Sequence, residues 1–323
     1  MSNKAISFYA ITGIAVLFAI MCLIYRGKGM PQGKSYSFAV FNTGGSISLW
    51  GRSEAELDNA FREILSELQR LHNTINAYDK KSELHRLNDT AFSEPFACSG
   101  ELWRIIAASR EAFALTEGAF DPTIGAVMHL WGFHKKKETL PDQKEIDAAL
   151  AKVGLSKVQF DDNAHSVRFT VPGMSLDFGG IAKGYAADLA KSILDRHGID
   201  TYMIDLGGNL LLSEKVPDGE NAFKVSIRDP EDSNAVAKVL MLKGCAVATS
   251  GNYERSRIIQ GRKIGHIMEP ATGRPVVRFA SVTAITRRGV NSDVFSTAVF
   301  VRGRELSERL RRDVPGTDFF ILE

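Results

Sequence analysis

Asp293 and Thr297 stand four residues apart in Asn291-Ser-Asp-Val-Phe-Ser-Thr-Ala298, a stretch whose pattern predicts the start of a helix. Residues at i and i+4 share one helix face, so a carboxylate and a hydroxyl would project together. Such a pair of hard oxygens suits Mg²⁺, which keeps several waters and takes substrate phosphate as further ligands. The competing reading makes Asp293 a helix N-cap, a place that Ser292 also contends for.

A third ligand of the same kind is available in Ser175-Leu-Asp-Phe-Gly-Gly-Ile-Ala-Lys-Gly-Tyr-Ala-Ala-Asp188. Residues 174–178 read as a buried strand end, the chain turns on Gly179 and Gly180, and a helix follows to about His197. Paired glycines admit close approach and can leave a carbonyl free, while N–H groups at a helix start favour anions. Asp177 and Lys183 flank the turn. The pattern is neither the phosphate loop nor the dinucleotide fingerprint, and a plain tight turn is the alternative. His266, with Glu269-Pro270 behind it, sits at a strand end. It is either structural or, with a metal and a phosphate nearby, a proton carrier. Asp121 and Thr123 present oxygens beside Pro122, a pattern that a helix stop followed by an N-cap also produces.

These groups need a frame. A strand over 36–49, interrupted by Thr43-Gly-Gly45, leads to a capping box at Ser53 and Glu56. Leu57, Phe61, Ile64, Leu68 and Leu71 then recur at helical spacing. Helices are predicted over 101–116 and 142–153, and a hairpin over 158–171. A strand over 202–212 is broken by Gly207-Gly208, read as a bulge or a close approach. Further strands fall at 223–227, 236–242, 246–249, before Gly265, at 280–286 and at 319–322, with helices from 291 and over 304–312. Mixed strands and helices with many hairpin signals favour an α+β fold over a doubly wound one.

With 323 residues, 44% hydrophobic and 24% charged, the chain can bury a sizeable core. A net charge of +2 and no aromatic-interleaved basic stripe argue against nucleic acid. Lys135-Lys-Lys137 and the run from Arg309 to Arg312 read as solvated faces. Cys22, Cys98 and Cys245 show no metal spacing, and a Cys98–Cys245 disulfide stays open. Residues 5–25 form 21 positions without a charge. As a helix they would span roughly 30 Å, the thickness of a bilayer core. The favoured reading is an uncleaved membrane anchor over residues 1–30 ahead of one catalytic domain over 31–323. A cleaved signal peptide and a lipoprotein signal are the alternatives.

In this order, the segments resemble the ApbE family of FAD:protein FMN transferases. The resemblance rests on Tyr78-Asp-Lys-Lys-Ser-Glu-Leu-His-Arg-Leu-Asn88, Gly118-Ala-Phe-Asp-Pro-Thr-Ile-Gly125, Trp131-Gly-Phe133 and Leu176-Asp-Phe-Gly-Gly-Ile-Ala-Lys-Gly-Tyr-Ala-Ala-Asp188. It continues through Asp205-Leu-Gly-Gly-Asn209, Thr249-Ser-Gly-Asn-Tyr253, His266-Ile-Met-Glu-Pro-Ala-Thr-Gly-Arg-Pro275 and Ser292-Asp-Val-Phe-Ser-Thr-Ala298. Together these span about residues 36–323.

The resemblance implies a two-lobed α+β fold, related to the T-fold, with FAD in the cleft. It implies transfer of FMN from FAD to a Thr or Ser hydroxyl of an acceptor protein, with release of AMP. Acceptors in the family include membrane flavoprotein subunits of redox complexes. Carried over by position, Gly180, Asp293 and Thr297 would hold Mg²⁺. Phe41, Tyr78, Ala119, Phe120, Asp121, Asp177, Lys183 and Ile267 would contact FAD, and His266 and Asp293 would be catalytic. Two departures stand out: Phe41-Asn-Thr43 replaces the usual Met-Gly-Thr, and Glu269 replaces an aspartate. Family habit and the anchor together place the catalytic part on the outer face of the cytoplasmic membrane. A metal-dependent FAD pyrophosphatase and a tethered flavin-binding protein without turnover are the alternative functions.

Overall fold

Along Thr201–Leu206 every second side chain is buried, with Tyr202, Ile204 and Leu206 on one side and Met203 and Asp205 on the other. A period of two marks a strand whose faces meet different surroundings. The protein, here as a computed structural model, is described over residues 32–323, apart from 52, 134–138, 233–234 and 253–255.

The chain runs β1 (Gln32–Val40), β2 (Thr43–Gly51), α1 (Glu54–Ile75), α2 (Glu83–Thr90), β3 (Phe96–Ala97), α3 (Gly100–Leu115), α4 (Gly125–Leu130) and α5 (Gln143–Leu150). It continues with β4 (Val158–Asp161), β5 (Ser166–Phe169), α6 (Ala182–Arg196), β6 (Thr201–Leu206), β7 (Asn209–Leu212), β8 (Phe223–Arg228), β9 (Val236–Leu242) and β10 (Ala246–Gly251). Last come β11 (Ser256–Ile259), β12 (Arg262–Gly265), β13 (Met268–Glu269), β14 (Arg274–Pro275), β15 (Ser281–Thr286), α7 (Gly289–Arg302), α8 (Arg304–Asp313) and β16 (Asp318–Leu322).

Seven strands make one sheet in the order β1-β2-β6-β7-β10-β15-β16, each neighbouring pair antiparallel. Helices α1, α6 and α7 cover one face, where the helical spacing on α1 brings Ile64, Leu68 and Leu71 into the main core with Ile204 and Phe295. The β8–β9 hairpin covers part of the other face through Phe223, Val225 and Ile227, packed with Trp50 and Met203. A separate core forms around Val127, Trp131 and Ile146, closed by Ile259, Ile264 and Met268. Antiparallel sheets with helices gathered on one face are an α+β architecture, as the sequence predicts.

Several boundaries differ from expectation, each for a local reason. The single strand expected over 36–49 is the β1–β2 hairpin, because the chain reverses on Phe41 and Asn42 (φ 53° and 58°). The broken strand over 202–212 is likewise a hairpin, turning on Gly207 and Gly208 (φ 62° and 87°) instead of bulging. Residues 174–178 form no strand. One parallel bridge, Ile124 to Ser175, and the side chain of Asn88 hold them extended instead. Cys98 and Cys245 are free thiols, and burial pushes them up to about 12 and about 11. The apolar segment 5–25, Lys135-Lys-Lys137 and Tyr253 lie outside the described residues. Among the described residues no helix is long and apolar enough to cross a membrane.

Candidate functional site

The glycine turn is fixed before any ligand is considered. Asn88 clamps Leu176 from both sides, its Nδ2 donating to the Leu176 carbonyl (3.0 Å) and its Oδ1 accepting the Leu176 N–H (2.8 Å). The Asp177 N–H donates to the Pro122 carbonyl at 2.8 Å, joining this turn to the 119–123 segment. Asp177 Oδ1 accepts the Gly179 N–H at 2.7 Å, an Asx turn, and its Oδ2 accepts the Tyr78 hydroxyl. Tyr78 leaves 42% of its surface exposed while its hydroxyl points inward. Burial of the phenol, then the Asp177 charge beside it, push its pKa well above the ordinary value.

Asp293 is 3% exposed and lies in the second turn of α7, so it does not cap its own helix. It caps the neighbouring one. Its Oδ2 accepts the Gly184 N–H at 2.9 Å, an amide in the first turn of α6 with no partner inside that helix. Lys183 Nζ lies 3.3 Å from Oδ1. In return, Asp188 of α6 caps α7, accepting the Gly289 and Val290 N–H groups at 2.6 and 3.0 Å. The helices approach closely enough because Gly184 and Gly289 face each other. A Cβ on Gly184 would lie 2.1 Å from the Gly289 carbonyl oxygen, and one on Gly289 would lie 2.4 Å from that of Gly184.

One turn on, the Thr297 hydroxyl lies 3.2 Å from the Asp293 carbonyl and 3.0 Å from Ser250 Oγ at the end of β10. Gly180 lies beside it, where a Cβ would be 3.9 Å from Thr297 Cγ2 and 3.4 Å from the Phe120 ring. The donor set is therefore one carboxylate, one hydroxyl and a backbone turn. Among the described residues no group of three or more His, Cys, Asp or Glu side chains could hold a metal. A single carboxylate with neutral oxygens fits Mg²⁺ shared with phosphate oxygens and does not fit a closed zinc site.

The other expected residues take varied places. Ala119, Phe120 and Asp121 are buried, and the Asp121 carboxylate turns inward, accepting the Thr123 N–H (2.8 Å) and hydroxyl (2.6 Å). Burial raises the Asp121 pKa, and these two hydrogen bonds oppose the shift. What this segment offers a ligand is chiefly backbone. Ile267 is buried, and its carbonyl accepts the Val276 N–H. Asn252 Nδ2 donates to the Val276 carbonyl at 2.6 Å, which ties the His266 loop to the end of β10, two residues from Ser250. Glu269 accepts the Thr272 hydroxyl at 2.8 Å, so the longer acid still orients its loop. Phe41 packs against His72 (ring centroids 5.5 Å apart) rather than against the Asp293 group, on the rim of a 590 Å³ cleft between the β1–β2 turn and α1.

Asp177, Gly180, Lys183, Asp293 and Thr297 thus form one cluster, bordered by Tyr78 and Phe120. Sequence reasoning missed Asp188, Ser250, Ser296, Asn88 and His129, whose ring meets Tyr78 at 5.9 Å. Asn88, Asp188, Ser250 and Ser296 already stood inside the motifs above, but nothing in their spacing told which backbone or hydroxyl they would meet.

Known proteins resemble this chain in sequence and fold. The FAD:protein FMN transferase of Treponema pallidum is 32% identical over 322 residues, covering 94% of this chain and 89% of its own. A crystal structure of the ApbE protein from Thermotoga maritima superposes with a TM-score of 0.82 at 30% identity, over 90% of this chain and 94% of that one. The flavin transferase ApbE from Vibrio cholerae gives 0.78 at 26%, over 91% and 98%. The family's sequence profile matches residues 33–321, nearly all that the structure describes, and with that extent of agreement in sequence and fold the chain belongs to the ApbE family.

Proposed function

We propose that the chain works as its named relatives do, as a FAD:protein FMN transferase, with Mg²⁺ as the cofactor and a Thr or Ser hydroxyl as the acceptor. The observation that carries the reading is the Asp293 carboxylate. It is buried, held by one backbone N–H, with a lysine at 3.3 Å and a hydroxyl one turn away. A carboxylate this dry needs positive charge beside it, and a pyrophosphate with its cation supplies a matching set.

In the reaction the acceptor oxygen attacks the phosphorus on the FMN side of the FAD pyrophosphate. A P–O bond to the acceptor forms as the P–O–P bridge breaks, and AMP leaves with the bridging oxygen. Mg²⁺, when bound, would neutralise charge building on the phosphoryl oxygens. Gly180, Asp293 and Thr297 would hold it. Lys183 would face the same charge, and His266 would take the acceptor proton. Tyr78 and Asp177 would brace the turn against the nucleotide, with Phe41, Ala119, Phe120, Asp121 and Ile267 lining the rest.

The acceptor would be a flavoprotein subunit of a membrane redox complex. The apolar segment 5–25 would tether the catalytic part outside the cytoplasm, within reach of it. The test is the full chain with FAD, Mg²⁺ and a peptide bearing the acceptor Thr, followed by intact mass and AMP release, beside Asp293→Ala. A gain of one FMN on the peptide, lost in the variant, supports the proposal. AMP and free FMN without labelled peptide would mark a pyrophosphatase, and tightly bound flavin with no AMP a non-catalytic binder.

A further inference from the structure

Behind Thr297 lies a run of hydroxyls that neither the sequence motifs nor the proposed ligand set accounts for. Ser250 Oγ lies 3.0 Å from Thr297 Oγ1 and 2.9 Å from Ser296 Oγ. Ser296, 1% exposed, donates to the Asp293 carbonyl at 3.0 Å. Each hydroxyl has one hydrogen to give and two lone pairs. The Asp293 carbonyl, inside α7, also takes the helical N–H of Thr297. With Ser296 added, both of its lone pairs are engaged, so the Thr297 hydroxyl at 3.2 Å has the weakest claim on it. Ser250 is the acceptor left to Thr297, and Ser296, having spent its hydrogen, accepts from Ser250. The hydrogens then run one way, from Thr297 to Ser250 to Ser296 to the Asp293 carbonyl.

We infer that Ser250 and Ser296 are positioning residues that turn the Thr297 hydrogen away from the Asp293 carboxylate and Gly180, presenting its oxygen lone pairs to a divalent cation. The inference rests on the metal reading given above. A ligand oxygen that spends a lone pair on an incoming hydrogen bond is a poorer ligand, and outer partners of metal ligands commonly set affinity by 10–100-fold.

The accounting makes the two serines non-additive. In Ser250→Ala the Thr297 hydrogen must compete with Ser296 for the Asp293 carbonyl. In Ser296→Ala the Ser250 hydrogen has lost its acceptor and turns onto Thr297 Oγ1. In the double variant the Asp293 carbonyl is open to the Thr297 hydrogen and no serine competes.

The test is Mn²⁺ binding to the full chain, without nucleotide, read by the loss of the free-ion electron paramagnetic resonance signal. Each single variant is expected to bind about tenfold more weakly than wild type. The double variant is expected to bind more tightly than either single one, with unchanged melting of the metal-free protein as the folding control. Single variants that bind as wild type, or a double variant about 100-fold weaker as independent effects require, would overturn the inference. Asp293→Ala separates the two levels. If it keeps wild-type Mn²⁺ binding, the metal reading itself falls. If it loses binding while the serine variants do not, only the relay falls.

Discussion

Asp188 and Asp293 cap each other's helices: Asp188 on α6 receives the first amides of α7, and Asp293 on α7 receives the Gly184 amide of α6. Both carboxylates cap a helix, yet only that of Asp293 also has Lys183 beside it, with the Thr297 hydroxyl at the Asp293 carbonyl one turn on. Replacing each by asparagine therefore separates capping from chemistry, since an amide oxygen still accepts one backbone N–H: that of Gly184 at position 293, and one of the Gly289 and Val290 pair at position 188. Asp188→Asn is expected to retain FMN transfer. Asp293→Asn is expected to lose on the order of 10²–10³-fold, the scale of losing a charged group aimed at the reacting phosphate. Equal losses in the two variants would mean that Asp293 matters to the fold alone.

Asp188 also makes a pH prediction. Burial pushes its carboxyl above the ordinary 3.8, and the two backbone N–H bonds only partly restore it. A folded pKa above the unfolded one means that the stability contributed is fully present below the unfolded value. It is lost as pH rises through the folded one. Asp188→Asn removes that dependence. Urea titrations of both proteins from about pH 4 to pH 7 should show the variant gaining on wild type as pH rises. A constant difference would place the Asp188 pKa at its ordinary value.

The crossing itself is testable at Gly184. A Cβ there would lie 2.1 Å from the Gly289 carbonyl oxygen and 2.7 Å from Asp293 Cβ, both on a backbone that cannot yield locally. Gly184→Ala gains up to about 1 kcal/mol in helix propensity, yet overpacking is expected to leave it about 1–3 kcal/mol less stable. Gly100→Ala is the control. Its Cβ would meet nothing closer than an Arg104 guanidinium nitrogen at 3.7 Å, and its stability should stay within about 0.5 kcal/mol of wild type. Denaturant midpoints decide, and a neutral Gly184→Ala would show that the helices can part without cost.

Asp293 shows how far the sequence could be read. The i, i+4 relation to Thr297 was legible from spacing, because helix geometry fixes it locally. The choice between ligand and cap was not, because the answer depends on α6, which lies far earlier in the chain. The same division holds for the frame. Ser53 announces a helix start and its side chain does accept an amide there, whereas no start was expected at Ser82 or Ser99, which cap helices in the same way. Phe41-Asn42 gave no such signal. A phenylalanine is a poor predictor of a left-handed turn, so one long strand was expected in place of a hairpin. Ser250 was invisible for a third reason: its partners lie on another element, and a serine in a strand carries no mark of what it will meet.

At Tyr78 the phenol donates to Asp177, which keeps the Gly179 N–H as its second partner. Tyr78→Phe should leave the turn folded, weaken FAD binding and cost about 1.5–3 kcal/mol, the range for a hydrogen bond to a charged group. Because the folded phenol is raised above 10, its contribution to stability is whole below pH 10 and is lost as pH rises further. Comparison of wild type with the variant by denaturation between about pH 8 and pH 11 should show the gap narrowing at the alkaline end. A gap that widens there would assign the hydrogen bond to an ionised tyrosine.

Phe41 carries the last prediction, because its backbone is costly. Both central residues of the β1–β2 turn are left-handed, an arrangement that Asn and Gly accept readily and phenylalanine does not. The cost is about 1–2 kcal/mol, and such a residue persists where something other than stability retains it. Here the ring borders the cleft between the turn and α1, at a position the family resemblance gives to flavin contact. Phe41→Asn is therefore expected to raise stability by about 1 kcal/mol while weakening FAD binding. Thermal melting reads the first effect, and quenching of flavin fluorescence on titration reads the second. A stabilised variant that binds FAD as wild type does would detach Phe41 from the flavin site. A variant less stable than wild type would show that the ring's packing on His72 outweighs the strain of the turn.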